Sequence, residues 1–217
     1  MNRTITVKGT GNVSVKPDLI IITMNIESKK MEYDQTMQLA AKSLNTITSV
    51  IESLGFDKED LKTTTFSVNT HYTSYRDKDD NYKSKFDGYI CEQGLKLEFD
   101  FDSKVMSDVF TAIAQTSVDP RMNIQFSVKD QNAVNEKLLV EATENAKKKA
   151  EILSKASGVD LGKLISVDYN WGELHLYSPT RYEMKDRSML MQASEAISIV
   201  PDDISASDTV TFVWEIN

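Results

Sequence analysis

One order of elements occurs twice along the chain: a strand, a long helix, a glycine followed by an apolar residue, a short turn and a second strand. In the first half, alternating apolar residues predict a strand at 18–27, and a helical period follows over 34–54. Gly55 and Phe56 then have the pattern of a Schellman C-cap, in which the glycine turns left-handed and the apolar residue packs back on the helix. A strand at about 63–72 completes this half.

The second half repeats the order with a strand at 122–128, a helix at 131–157, the pair Gly158-Val159 and a strand at about 163–171. The last strand presents apolar residues on one face: Ile165, Val167, Tyr169 and Trp171. A right-handed crossover would place the two strands of each half as neighbours or near-neighbours in one sheet. The repeat therefore predicts two related strand-helix-strand halves.

The remaining elements complete a prediction of the α+β class, with mixed or antiparallel sheets and one long Ala-rich helix packed on a sheet. They are a strand at 4–8, a strand at 86–101, a helix at 103–115 capped by Asp102 or Ser103, a strand at 208–216 and a long hairpin whose polar tip spans 73–87. We expect a single domain over 1–217, which could divide into subdomains 1–117 and 118–217.

Charge and hydropathy exclude several classes of protein. The chain has 25 Lys and Arg against 33 Asp and Glu, a formal charge of −8, which argues against binding nucleic acid. Its longest apolar run, 19–22, is far too short for a membrane-spanning segment. Because the N-terminus has no signal-peptide pattern, we expect a cytoplasmic protein, or a periplasmic or secreted one if a leader has been removed.

Two short motifs resemble ligand-binding loops, but each lacks residues that such a loop requires. Gly9-Thr10-Gly11 follows a strand, but the third glycine of a dinucleotide loop would fall at Ser14 and no helix follows, so we predict a sharp turn or bulge there. Asp77, Asp79 and Asn81 match the start of a calcium loop. Tyr82 and Gly88 then occupy the positions of its essential Gly and Glu, which favours a solvated hairpin tip.

No catalytic, metal or cofactor site is predicted. His71 and His175 are the only histidines, and neither has the spacing of a zinc site or a recognisable nucleophile motif. Cys91 is the only cysteine, so it cannot form an intramolecular disulfide. It lies within a predicted strand, and we expect a buried, unreactive thiol.

The segment 172–200 has no regular period, and it contains Pro179, Arg181, Met184, Met189 and Met191. Loops longer than about 15 residues in a compact domain are usually functional or disordered. We therefore expect any partner-contacting region to lie in this segment.

Three segments together resemble one protein family. They are the opening Ile5-Thr6-Val7-Lys8-Gly9-Thr10-Gly11-Asn12-Val13-Ser14-Val15-Lys16-Pro17-Asp18, then Gly88-Tyr89-Ile90-Cys91 leading into Leu95-Lys96-Leu97, and the run 142–162 with Ala150-Glu151-Ile152-Leu153-Ser154-Lys155-Ala156-Ser157-Gly158. In this order they resemble the SIMPL domain family, which includes periplasmic immunogenic proteins of Gram-negative bacteria. Relatives tend to have Pro-Gly before the last strand, where this chain has Pro201-Asp202-Asp203.

The resemblance implies an α+β fold without agreed catalytic residues, linked to stress tolerance, envelope integrity and self-association. We therefore expect a non-enzymatic bacterial protein that acts as a homo-oligomer or binds a protein partner, with no cofactor. The alternative is a small-molecule binder or enzyme with a site between the halves that uses His71, Tyr72 and nearby carboxylates. A third hypothesis, a thiol-based stress protein, depends on Cys91 alone.

Overall fold

A computed structural model describes residues 3–170, 174–184 and 199–217, and these ranges contain eight strands and three α-helices. The strands are β1 (Thr4–Val15), β2 (Leu19–Lys30), β3 (Leu61–Arg76), β4 (Tyr82–Asp100), β5 (Arg121–Ser127), β6 (Leu161–Asp168), β7 (Tyr177–Met184) and β8 (Ile204–Ile216). The helices are α1 (Tyr33–Ser53), α2 (Ser103–Ala114) and α3 (Gln131–Ala156). The strands form two antiparallel sheets, which confirms the predicted α+β class.

The chain divides into two compact units, each assembled from separated stretches of sequence. The three-stranded unit comprises residues 1–18, 127–179 and 201–217, and the five-stranded unit comprises 19–126 and 180–200. Both units therefore draw on both halves of the sequence. The single domain over 1–217, with subdomains 1–117 and 118–217, stays a prediction.

In the three-stranded unit the strand order is β1-β8-β6. β1 pairs with β8 over its whole length, from Thr4 opposite Glu215 to Val15 opposite Ile204. The alternation predicted for the last strand is confirmed, because its apolar face is buried: Val210, Phe212 and Trp214. This face packs with three alanines of α3, Ala142, Ala146 and Ala150.

The close approach of α3 explains two glycines and corrects the predicted turn at Gly9 and Gly11. β1 runs through both as one strand of 12 residues, instead of ending after 4–8. A Cβ on Gly9 would lie 1.9 Å from the carbonyl oxygen of Ala142, and one on Gly11 would lie 2.1 Å from that of Leu138. The glycines are therefore required by helix packing and not by a turn.

Side chains of α3 also form hydrogen bonds with backbone groups of β1. Asn145 Oδ1 accepts from the Thr10 N–H at 3.1 Å, Glu141 Oε2 accepts from the Asn12 N–H at 3.0 Å, and Lys149 Nζ donates to the Lys8 carbonyl at 3.0 Å. The three α3 residues are spaced four apart, so they share one helix face. An edge whose backbone groups already have partners is a poor template for adding another strand.

In the five-stranded unit the strand order is β3-β4-β2-β5-β7. The even-numbered residues of β2, Ile20, Ile22, Met24 and Ile26, are buried as the alternation predicts. They form one core with Ile47 and Ile51 of α1 and with Met106, Phe110 and Ile113 of α2. The two helices therefore pack on the face of the sheet to which these side chains point.

Only one of the two predicted crossovers stays within a sheet. β2 and β3, joined through α1, are near-neighbours with β4 between them, as predicted. β5 and β6, joined through α3, belong to different sheets, so the prediction is wrong for the second half. The predicted left-handed glycines at the helix ends are confirmed, since Gly55 and Gly158 have φ values of 93° and 70°.

β6 also differs from its predicted role as a strand with a buried apolar face. Ile165 and Val167 are 49% and 50% exposed. β6 is an edge strand with only β8 beside it, so much of its surface lacks a covering neighbour among the described residues. Trp171, the last residue of the predicted face, lies outside the described residues.

Candidate contact surface at the hairpin base

β3 and β4 form a hairpin that continues past the end of β2, which confirms the predicted long hairpin. The β2–β4 pairing ends where Lys30 lies opposite Tyr89, whereas β3 and β4 stay paired as far as Arg76 opposite Tyr82. We call the resulting two-stranded ribbon, residues 71–87, the arm. Two-stranded ribbons are at best marginally stable alone, so the conformation of the arm depends on side-chain contacts.

The tip of the arm has fewer residues than the predicted 73–87, because β3 extends to Arg76 and β4 begins at Tyr82. The Asp77 carboxylate accepts from the backbone N–H groups of Asp79 at 2.9 Å and Asn81 at 3.0 Å, and it pairs with Lys83 at 2.7 Å. Lys83 and these backbone donors lower the pKa of Asp77 below its usual value. The acidic residues thus organise a turn, and the described ranges contain no cluster of His, Cys, Asp and Glu suited to a metal ion.

A β-bulge marks the base of the arm. Thr70 lies opposite Tyr89 and Tyr72 lies opposite Phe86, so two residues of β4, at positions 87 and 88, face His71 alone. Gly88 has a φ of 98°, and a Cβ there would lie 2.3 Å from the carbonyl oxygen of Lys30. Only glycine meets both requirements without strain.

One face of the arm base carries a polar cluster around Asp87. Its Oδ2 accepts from Lys29 Nζ, from Thr73 Oγ1 at 2.6 Å and from His71 Nδ1 at 3.1 Å. These donors, Lys29 foremost, lower the pKa of Asp87 to about 2. A carboxylate that stays ionised at such low pH is a weak base, so the cluster is suited to tying the arm to β2.

On the opposite face, four aromatic rings lie in a row that runs from the start of α1 to the arm, and we call this row the aromatic ladder. The ring centroids are 5.6 Å apart for Tyr33 and Tyr89, 5.4 Å for Tyr89 and Phe86, and 5.7 Å for Phe86 and Tyr72. Each pair meets edge to face, the geometry that the ring quadrupole favours. The two end rings, Tyr33 and Tyr72, are 47% and 56% exposed.

The structure separates residues that the sequence had grouped. His71 and Tyr72 are adjacent in β3 and have different neighbours, since His71 lies beside Asp87 and Tyr72 lies in the aromatic ladder on the other face. His175 is exposed and belongs to the three-stranded unit. No sequence pattern points to Tyr33 or Phe86, because only the hairpin register and the start of α1 bring these rings together.

Cys91 is fully buried, as predicted. Burial raises the pKa of its thiol, and the nearby Glu92 carboxylate raises it further. A buried, protonated thiol is neither nucleophilic nor accessible to oxidants. This environment argues against a thiol-based function.

The segment 172–200, expected to be without regular structure, contains β7 in its described part. Ser178 and Met184 are buried, and Ser178 Oγ donates to the Asp202 carbonyl at 2.7 Å. Pro179 argues against a strand in the sequence, because proline cannot donate a hydrogen bond to a neighbouring strand. Proline is tolerated in an edge strand, and β7 is at the edge of its sheet. Met189 and Met191 lie outside the described residues.

None of the helices in the described ranges has both the length and the apolar character that crossing a bilayer requires.

A comparison with family models agrees with the resemblance seen in the sequence. No curated protein matches the chain. The family model SIMPL, described as a protein of unknown function (DUF541), matches residues 5–214. Since this match covers nearly the whole sequence, the chain belongs to the SIMPL family.

Proposed function

We propose that the protein catalyses no reaction and acts by self-association or by binding a protein partner, with the aromatic ladder as its contact surface. The observation that carries the proposal is the row of four rings with exposed ends at Tyr33 and Tyr72. Tyrosine and phenylalanine are enriched at protein interfaces, and tyrosine recurs among the residues that dominate binding energy.

A second copy of the chain is the partner we favour. Each copy carries a formal charge of −8, so most surfaces of two copies repel each other. The ladder itself contains only neutral side chains, and a two-fold contact would pack it against itself with rings interleaved. A different protein with an exposed apolar groove is the second possibility.

We further propose that this association serves stress tolerance or envelope maintenance in a bacterium. The family resemblance supports this setting. The compartment proposed from the sequence is the cytoplasm, or the periplasm or exterior if a leader is removed.

The test compares the concentration dependence of solution mass for matched variants, by light scattering and sedimentation velocity. Tyr33→Ala with Tyr72→Ala removes both exposed ends of the ladder, and we expect at least about tenfold weaker association. Tyr75→Ala is the control, because Tyr75 is 48% exposed on the same strand but on the other face. Equal association of both variants, or a wild-type chain that stays monomeric throughout, would refute the proposed contact.

A further inference from the structure

The face of the five-stranded sheet opposite α1 and α2 contains a small cavity over β4. Its volume is about 250 Å³, and its lining includes Asn25, Glu27, Thr65, Glu92, Gly94 and Arg121. The register places Asn25 and Thr65 on either side of Gly94, in three neighbouring strands. A Cβ on Gly94 would lie 2.7 Å from Thr64 Oγ1, so glycine at this position lets β3 pack closely beside the cavity, and most of the residues that line the cavity are polar.

The charges around this cavity are not neutralised within the described ranges. Glu27 lies directly opposite Glu92 in the β2–β4 pairing, an arrangement in which like charges destabilise a sheet. Among the described residues, neither carboxylate forms a salt bridge, and the Arg121 guanidinium forms none either. All three residues are exposed, so the cavity presents two hydrated carboxylates and one hydrated guanidinium that a ligand can contact.

We infer that this cavity binds a compact zwitterion of the amino-acid class. The ligand's ammonium group lies between Glu27 and Glu92 and offsets their repulsion. Its carboxylate accepts hydrogen bonds from Arg121, whose planar fork suits carboxylates, and from the Asn25 amide.

The sizes of the cavities limit the ligand. A volume of about 250 Å³ lies below the roughly 300–1,000 Å³ typical of drug-sized sites, so the part of the ligand that contacts the charged groups is compact. A neighbouring cavity of about 490 Å³ shares Asn25 and Arg121 with the first. A side chain on the ligand can therefore extend beyond the charged groups.

The test is a titration of the full ¹⁵N-labelled chain, followed by the amide signals of Gly94 and Asn25. The probes are L-alanine and γ-aminobutyrate as zwitterions, with acetate and methylammonium as singly charged controls at matched ionic strength. We expect saturable shifts with at least one zwitterion, and at least about tenfold weaker binding of either control, because each control makes only half of the charged contacts. No saturable shift with either zwitterion, or equal binding of a control, would overturn the inference.

Matched variants separate ligand binding from folding. Arg121→Gln and Glu92→Gln should each weaken zwitterion binding about tenfold or more, whereas Arg3→Gln and Glu151→Gln, exposed residues of the three-stranded unit, should leave it unchanged. Glu92→Gln also removes the like-charge pair, so its unfolding midpoint in urea should be equal to or higher than that of the wild type. Retained binding in Arg121→Gln would overturn the inference, and so would weaker binding in Glu92→Gln that merely follows a loss of stability.

Discussion

Gly9→Ala tests whether α3 packs on β1 as closely as the structure indicates. The added methyl group would lie 1.9 Å from the Ala142 carbonyl oxygen and 2.7 Å from the Ala146 Cβ. The first contact is with helix backbone, which cannot rotate away as a side chain can. The strand and the helix must therefore separate to make room.

The expected loss of stability follows from three contributions. Overpacking in a core costs about 1–3 kcal/mol, and a backbone clash belongs at the upper end of that range. Separation also weakens the hydrogen bonds that the Thr10 N–H donates to Asn145 Oδ1 and that Lys149 Nζ donates to the Lys8 carbonyl, at about 1 kcal/mol each. Alanine restricts the unfolded chain and offsets about 0.4–1 kcal/mol. The net loss is about 4 kcal/mol, a large part of the roughly 5–15 kcal/mol available to a domain.

Urea unfolding followed by tryptophan fluorescence measures this loss, since Trp214 is buried in the same unit. Thr6→Ala, at an exposed position of the same strand, is the control and should change stability by less than about 0.5 kcal/mol. Adding Ala146→Gly to Gly9→Ala should restore little, because the carbonyl contact remains. A loss below about 1 kcal/mol for Gly9→Ala would refute the proposed packing.

Three further predictions concern the arm and its surroundings. Gly88→Ala should lower the free energy of unfolding by about 2 kcal/mol or more, measured by urea unfolding, because a Cβ would meet the Lys30 carbonyl at a left-handed φ. The lowered pKa of Asp87 means that its contacts stabilise the fold above about pH 4 and are lost as the pH falls toward 2. The stability difference between wild type and Asp87→Asn should therefore shrink across that range, and a constant difference would contradict the assignment. Cys91 should react with a thiol reagent only after unfolding, so rapid reaction in the native state would contradict its burial.

The features predicted correctly from the sequence are those determined by neighbouring residues. Asp102 accepts hydrogen bonds from the N–H groups of Lys104 at 2.8 Å and Val105 at 3.1 Å, so the predicted cap of α2 forms. At the end of α3 the Val159 N–H donates to the Ser154 carbonyl at 3.1 Å, the bond that defines a Schellman cap. Such motifs need only a few consecutive residues, which is why the sequence predicts them.

The features that the sequence did not predict depend on distant parts of the chain. Gly9 has the same local sequence signal whether it makes a turn or faces a helix more than 130 residues away along the chain. The aromatic ladder joins Tyr33, at the start of α1, to rings from both strands of the hairpin. Tyr72 was singled out beside His71, but side-chain alternation and the hairpin register give these two residues different neighbours.

The pairing of β1 with β8 has a consequence for how the chain folds during translation. Thr4 finds its partner only at Glu215, after about 200 further residues have been synthesised, which takes roughly 10–40 s at ordinary ribosome speeds. The strands of the five-stranded sheet up to β5 emerge well before that time. β1 therefore acquires its partner strand long after it has itself been synthesised, so a chaperone that binds nascent chains would find the β8 side of β1 unpaired until β8 emerges.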